Sequence, residues 1–197
     1  MFGQARLIII WIKKRCSLDK TSVMDQITLI IDLEGFHLSS GFLVRELGWC
    51  TIEGENDSQH FYSRLHYKDL SYKDRRTVNC VYRHVHGLRS EAAYKEAALP
   101  QRDLEAVIRA LYRGGLITYK GGHLEKDLLD KMGLPSVNLE DFGCPKADSL
   151  WSITGRDHCY PPGKSCGHHK EQTFKLVHCP KQETFLFFQW LQNKLKE

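Results

Sequence analysis

The 197-residue chain has no long apolar run, no internal repeat, no low-complexity segment and no large excess of either charge. Each absence removes a class. The apolar stretch Leu7 to Ile12 is far too short to span a bilayer and runs directly into Lys13-Lys14-Arg15. It has the look of a weak signal-like start, but no convincing small-residue cleavage site follows it. A net charge of +4 and a pI near 8.6 suit a polyanionic partner without demanding one. Hydrophobic content of 42% and charged content of 26% are those of an ordinary globular chain, which sets disorder aside. Seven cysteines, an odd number, do not make a disulfide framework. The expectation is a reducing, intracellular compartment, cytoplasm or nucleus, with thiols free or on metal and no membrane association.

What is present reads as one domain. Met24 immediately precedes the first strand pattern, so residues 1–23 read as an N-terminal appendage and 24–197 as the domain. Strands are predicted over Ile27 to Leu33, Phe42 to Ile52 and Gln59 to His66, the three forming an antiparallel meander. A loop, Gly35 to Gly41, joins the first two. Leu70 to His86 is charge-rich, irregular or helical. Asp103 is a candidate N-cap for a helix with apolar residues at Leu104, Val107, Ile108 and Leu111. A strand at Leu116 to Tyr119, a helix from His123 to Met132 and a strand at Val137 to Leu139 follow. Lys146 to Lys175 reads as a long loop, and a loop of that length needs a reason such as a metal. Pro180 suits the first turn of a last helix whose stripe is Thr184, Phe185, Phe188, Leu191 and Leu195. Strands followed by alternating helix and strand indicate an α/β domain with a mixed sheet.

The chemistry starts at Thr28-Leu29-Ile30-Ile31-Asp32-Leu33-Glu34-Gly35. Strand side chains alternate, so Asp32 and Glu34 project from one face. Burying two adjacent carboxylates is costly unless a cation or proton intervenes. A hard divalent ion is an economical reason for the pair; a solvated strand end is the competing one. Further on, His123 and Asp127 are four apart and share a helical face. His178 precedes Glu183 by five positions at the start of the last helix.

The order D-x-E, then H-x-x-x-D, then H-x-x-x-x-E resembles the DEDDh branch of the 3′–5′ exonucleases. FLVRELGWC (Phe42 to Cys50) and Val85-His86-Gly87-Leu88 add to the likeness, which covers about residues 27–192. The resemblance implies an RNase H-like mixed five-stranded sheet flanked by helices. It also implies two Mg²⁺ or Mn²⁺ ions held by Asp32, Glu34, Asp127 and Glu183, with His178 as general base. Glu183 stands where the family has Asp, and catalytic geometry is sensitive to shifts of about 1 Å.

Cys166-Gly167-His168-His169 followed by Cys179 is a second constellation, since C-x-x-H is a zinc-ligand spacing. With Glu46 it is similar to the Glu-Cys-His-Cys zinc motif of the Maelstrom domain, another RNase H-like family. That likeness implies a structural Zn²⁺ on Glu46, Cys166, His169 and Cys179. His168 competes as a ligand, and Cys144 and Cys159 are weaker candidates.

Single-stranded nucleic acid, RNA favoured, is the substrate expected from the exonuclease likeness, with Phe36, His37 and His123 as nucleic-acid-binding candidates. Lys73, Arg75, Arg76, Arg83, Arg109 and Arg113 are possible backbone contacts, each more ordinarily a solvated surface charge. The alternative expectation is a catalytically weak or inactive Maelstrom-type RNA-binding module with a structural zinc, in small-RNA or transposon silencing. A third is a zinc-stabilised interaction domain that binds no nucleic acid.

Overall fold

A computed structural model of the chain describes residues 20–63, 66–89, 98–153, 166, 168–169 and 178–197, with the backbone alone at 151–153. The expected appendage lies almost wholly outside these residues, as does Cys159.

Strand β1 (Ile27–Leu38) is the centre of the fold. It pairs antiparallel with β2 (Gly41–Thr51), which pairs antiparallel with β3 (Asn56–Tyr62). On its other edge β1 pairs in parallel with β5 (Leu116–Tyr119), and β5 with β6 (Ser136–Asn138). A two-residue strand, β4 (Leu99–Pro100), adds to β3. The order is β4-β3-β2-β1-β5-β6, with β2 alone running against the rest. Among the described residues the sheet is mixed and flanked by helices, as the RNase H-like likeness implies, with six strands rather than five. The sixth is too short, and its pairing too distant in sequence, for any local pattern to announce it.

Alternation on β1 sorts the core into two layers. Leu29, Ile31 and Leu33 face α3 (Leu104–Leu111) and α4 (His123–Met132), packing with Ile108, Leu129 and Met132. Ile30 faces the other way, toward α1 (Lys20–Met24), α5 (Ala147–Ile153) and the C-terminal helix α6 (Pro180–Lys194). Asp32 and Glu34 share the parity of Ile30, so they project on the α6 side.

Strand β1 does not stop after Asp-x-Glu. A bulge between Glu34 and Gly35 shifts the register and lets pairing with β2 continue to Leu38. Gly35 makes this possible, because a Cβ there would lie 2.0 Å from the Leu43 carbonyl oxygen. The expected Gly35–Gly41 loop is therefore mostly strand.

The charge-rich segment is helix α2 (Tyr72–His84), capped by Ser71, whose Oγ accepts from the Asp74 amide at 3.1 Å. Asp103, by contrast, makes no side-chain cap and ends a 3₁₀ turn leading into α3. Part of the expected long loop is α5. In α6 the buried positions are Pro180, Gln182, Thr184, Leu186, Phe187, Trp190 and Leu191, while Phe185 and Phe188 are only partly buried. The helix buries two sides, one on the sheet and one toward α5, so a single stripe does not describe it.

Gly48 sets the approach of α6 to β2. A Cβ at Gly48 would fall 2.2 Å from the Pro180 carbonyl carbon. Backbone cannot yield as a side-chain tip can. Gly48→Ala is expected to lift the helix start off the sheet and cost about 2–4 kcal/mol in urea denaturation. A change below about 0.5 kcal/mol would mean that the contact is slack.

Candidate functional site: an acid cluster beside a thiol-imidazole cluster

Three elements meet at the α6 side of β1. Asp32 is buried and Glu34 is partly buried. Glu183 enters from the first turn of α6, its amide bonded to the Cys179 carbonyl at 2.9 Å. The third acid is Glu125 of α4. Among the described residues, β1 has no ladder partner on its β5 edge beyond Ile30. Glu125 fills this opening, and its Oε1 accepts from the Leu33 amide at 3.2 Å. Asp127, expected here, is exposed. Two residues along a helix turn the side chain through about 200°, so Asp127 and Glu125 point to opposite sides. Glu125 belongs to the buried set Glu125, Leu129 and Met132, an i, i+4, i+7 stripe. That stripe is the signal in the sequence that identifies it.

The electrostatics are those of crowded carboxylates. Burial pushes Asp32 well above the usual carboxylate range, and Glu183, Glu125, Glu34 and Glu46 push it further. Glu34 is raised to about 8, by burial first and then by Glu183. Glu125 is raised too, by burial, against the pull of its backbone donors. Hard oxygen donors, buried and mutually repelling, form a set that suits a divalent cation. His178 stands at the rim, its side chain 41% exposed, with Nδ1 2.6 Å from Glu183 Oε1. That hydrogen bond raises His178 to about 9.

The acids imply a pH dependence. An unfolded Glu ionises near 4.5, whereas Glu34 holds its proton to about 8. Between those values the native state binds more protons than the unfolded chain, so its stability falls as pH rises. Glu34→Gln removes this contribution. Without added divalent ions, the variant should gain roughly 2 kcal/mol more over wild type at pH 8 than at pH 6. Thermal denaturation at the two pH values measures the difference, and a gain independent of pH would contradict the crowding.

Glu46 pairs with Glu34 across β1 and β2 and is fully buried. Around it gather Cys166, His169 and Cys179, the four ligand atoms all within 4.8 Å of one another. His168 is turned aside, its ring 4.1 Å from that of His60. Cys144 lies in the apolar core with Ile30 and Leu150.

The donors fit zinc. His169 Nδ1 faces the His86 carbonyl, which can only accept, so Nδ1 carries a proton. Nε2 is then the nitrogen turned to Glu46 Oε2 at 2.7 Å, a separation that requires a proton or a cation between them. A ligating imidazole characteristically donates its other N–H to a carbonyl in this way. The second oxygen, Glu46 Oε1, is buried with no hydrogen-bond partner among the described residues. Burial opposes ionisation of Glu46, but His169 outweighs it and holds the carboxyl low. Cys179 is drawn down to about 6 by the Cys166 hydrogen bond, so a thiolate is ready at neutral pH.

Val85-His86-Gly87-Leu88 is the brace between the clusters. Buried His86 accepts from the Leu88 amide at Nδ1 (2.9 Å), which fixes the proton on Nε2, and Nε2 donates to Gly35 at 3.0 Å. The Val85 carbonyl accepts from the His178 amide at 3.3 Å. The bulge, the catalytic-candidate histidine and the thiol-imidazole cluster thus hang on one turn.

Of the expected nucleic-acid contacts, Phe36 is corrected. It is fully buried, 4.9 Å from His86 edge-on, and packs with Leu43, Leu70 and Val78, so it cannot stack on a base. Its parity places it inward once β1 continues past the bulge. His37 is exposed beside Phe42. His123 is exposed and lines an open depression of about 530 Å³ with Lys126, Asn138 and Glu140.

Among the described residues no helix is long and apolar enough to cross a membrane. No protein-family model matches the chain, and no curated protein does. Among solved structures, the chain is similar to the exonuclease domain of Mopeia virus, a structure fully depleted of manganese. The two are 16% identical, the match covers 91% of this chain and 87% of that one, and the TM-score is 0.45.

Proposed function

We propose that this protein is a divalent-metal-dependent 3′–5′ exonuclease of the DEDDh kind, acting on single-stranded nucleic acid, RNA favoured. The observation that carries this is the convergence of Asp32, Glu34, Glu125 and Glu183 on one buried spot with His178 at its rim. In this reading the four carboxylates hold two Mg²⁺ or Mn²⁺ ions. Such ions supply an activated water and stabilise the leaving oxygen of a phosphodiester.

The chain's own groups do the rest. Leu33 and the β1 bulge fix Asp32, Glu34 and Glu125 relative to one another. His178 accepts a proton, and its competence depends on Glu183. While Nδ1 is bonded to Glu183 the imidazole stays protonated to about pH 9. With Glu183 engaged by a cation that hold would weaken, and a neutral imidazole would be available as base near pH 7. A structural zinc on Glu46, Cys166, His169 and Cys179 would anchor the start of α6, and with it His178 and Glu183.

The same ion pair favours a second reading. With His178 and Glu183 closed on each other, and Glu where the family has Asp, the domain would be a weak or silent RNA-binding module of Maelstrom type. One experiment separates them. End-labelled single-stranded RNA and DNA are incubated with Mn²⁺ or Mg²⁺ and wild-type protein or Asp32→Asn. A ladder growing from the 3′ end, lost in the variant, supports the enzyme. Equal binding without shortening overturns it in favour of the module.

A further inference from the structure

Helix α2 carries a charge pattern that its own fold does not use. Tyr72, Arg76, Asn79 and Arg83 fall within about 60° of one another around the helix, and all are exposed. Lys73 and Arg75 flank this stripe. The helix's only carboxylate, Asp74, is turned inward, where it accepts from Ser39 and Ser71. The outward face of the helix therefore carries cations and no anion. Arg83, near the C-terminus, complements the helix dipole. Lys73, Arg75 and Arg76 stand in the N-terminal half, where that dipole disfavours cations. Arg76 and Arg83 form no ion pair among the described residues. Tyr72 is 71% exposed, with the Arg76 guanidinium 6.0 Å from its ring centre.

The stripe ends at the active-site brace. His84 is followed by Val85 and His86, whose hydrogen bonds reach His178 and Gly35. A polyanion approaching four clustered carboxylates is repelled unless cations lie along its path. From Tyr72 to Arg83 the stripe runs about 16 Å.

We infer that the outward face of α2 is the track for the phosphate backbone of a single strand whose end enters the acid cluster, with Tyr72 as a stacking platform. This rests on the nuclease reading. Arg76 and Arg83 neutralise phosphates, and an aromatic beside a basic groove is how unpaired bases are held without sequence preference.

The test uses the full chain in two arms. Binding of a fluorescent single-stranded oligonucleotide is measured against KCl concentration in an Asp32→Asn background, which prevents turnover. Hydrolysis of a chromogenic nucleotide phosphodiester, too short to reach α2, is measured with Arg76 and Arg83 changed in the otherwise wild-type chain. For Arg76→Ala/Arg83→Ala the slope of log affinity against log salt should fall by about 1.4, roughly 0.7 for each phosphate that is no longer neutralised. Affinity at low salt should drop at least about tenfold, and the minimal substrate should be cleaved within about twofold of wild type. Arg76→Lys/Arg83→Lys should restore the slope. An unchanged slope, a failure of the Lys pair to restore it, or an equal loss on the minimal substrate overturns the track. If the parent chain cleaves oligonucleotides yet the slope is unchanged, the track alone fails. If it binds with the expected slopes but cleaves nothing, the nuclease reading fails and the track stands. No binding at all overturns both.

Discussion

Glu125→Gln is expected to remove about a thousandfold or more of the proposed Mn²⁺-dependent activity, and Asp127→Asn to leave it within about threefold. A thousandfold is about 4 kcal/mol of transition-state stabilisation, within reach of one ligand in a two-cation site. Glutamine keeps Oε1 as an acceptor for the Leu33 amide, so the opening beside β1 stays filled and the fold survives. It loses the negative charge, which is what the reaction uses. Glu125→Asp keeps the charge but withdraws it by one methylene, and should fall between the two. Initial rates at saturating Mn²⁺, with circular dichroism to confirm folding, decide the matter. Should Asp127→Asn be the silent variant and Glu125→Gln the active one, the buried stripe of α4 has no part in the chemistry.

The second large effect is on zinc. Wild-type protein purified without chelator should carry about one equivalent of zinc, and Cys179→Ser well under half of that. Structural zinc contributes about 10–16 kcal/mol in small metal-folded domains, and less where a core already exists. A loss of about 4 kcal/mol would lower Tm by roughly 10 °C for a chain of this size. Activity should fall with it, because Cys179 is the residue between His178 and the first turn of α6. Cys144→Ser, in the apolar core, controls for loss of a thiol as such and should keep the metal. Less than about half an equivalent in wild type would argue that the four side chains are held by protons alone.

How far these features are legible in the sequence depends on whether their cause is local. Asp32 and Glu34 share a face because strands alternate, and a five-residue window shows that. The gathering of Glu46, Cys166, His169 and Cys179 follows from ligand types matched to a known arrangement, not from any periodicity. For the third acid two local signals conflict: spacing from His123 favours Asp127, while the apolar stripe of α4 points to Glu125. Phe36 is available for stacking only if β1 ends at Leu33. The bulge that extends the strand depends on Leu43 meeting a residue without a side chain, a meeting across two strands. The two-residue β4 and the two-sided burial of α6 are likewise decided by distant partners.

The most direct measurement is anomalous scattering from a crystal soaked in Mn²⁺. Two peaks about 4 Å apart, bounded by Asp32, Glu34, Glu125 and Glu183, are the predicted result. His178 Nδ1 should then have parted from Glu183. Manganese absent from that spot at saturating concentration, with the four side chains still in place, would contradict it.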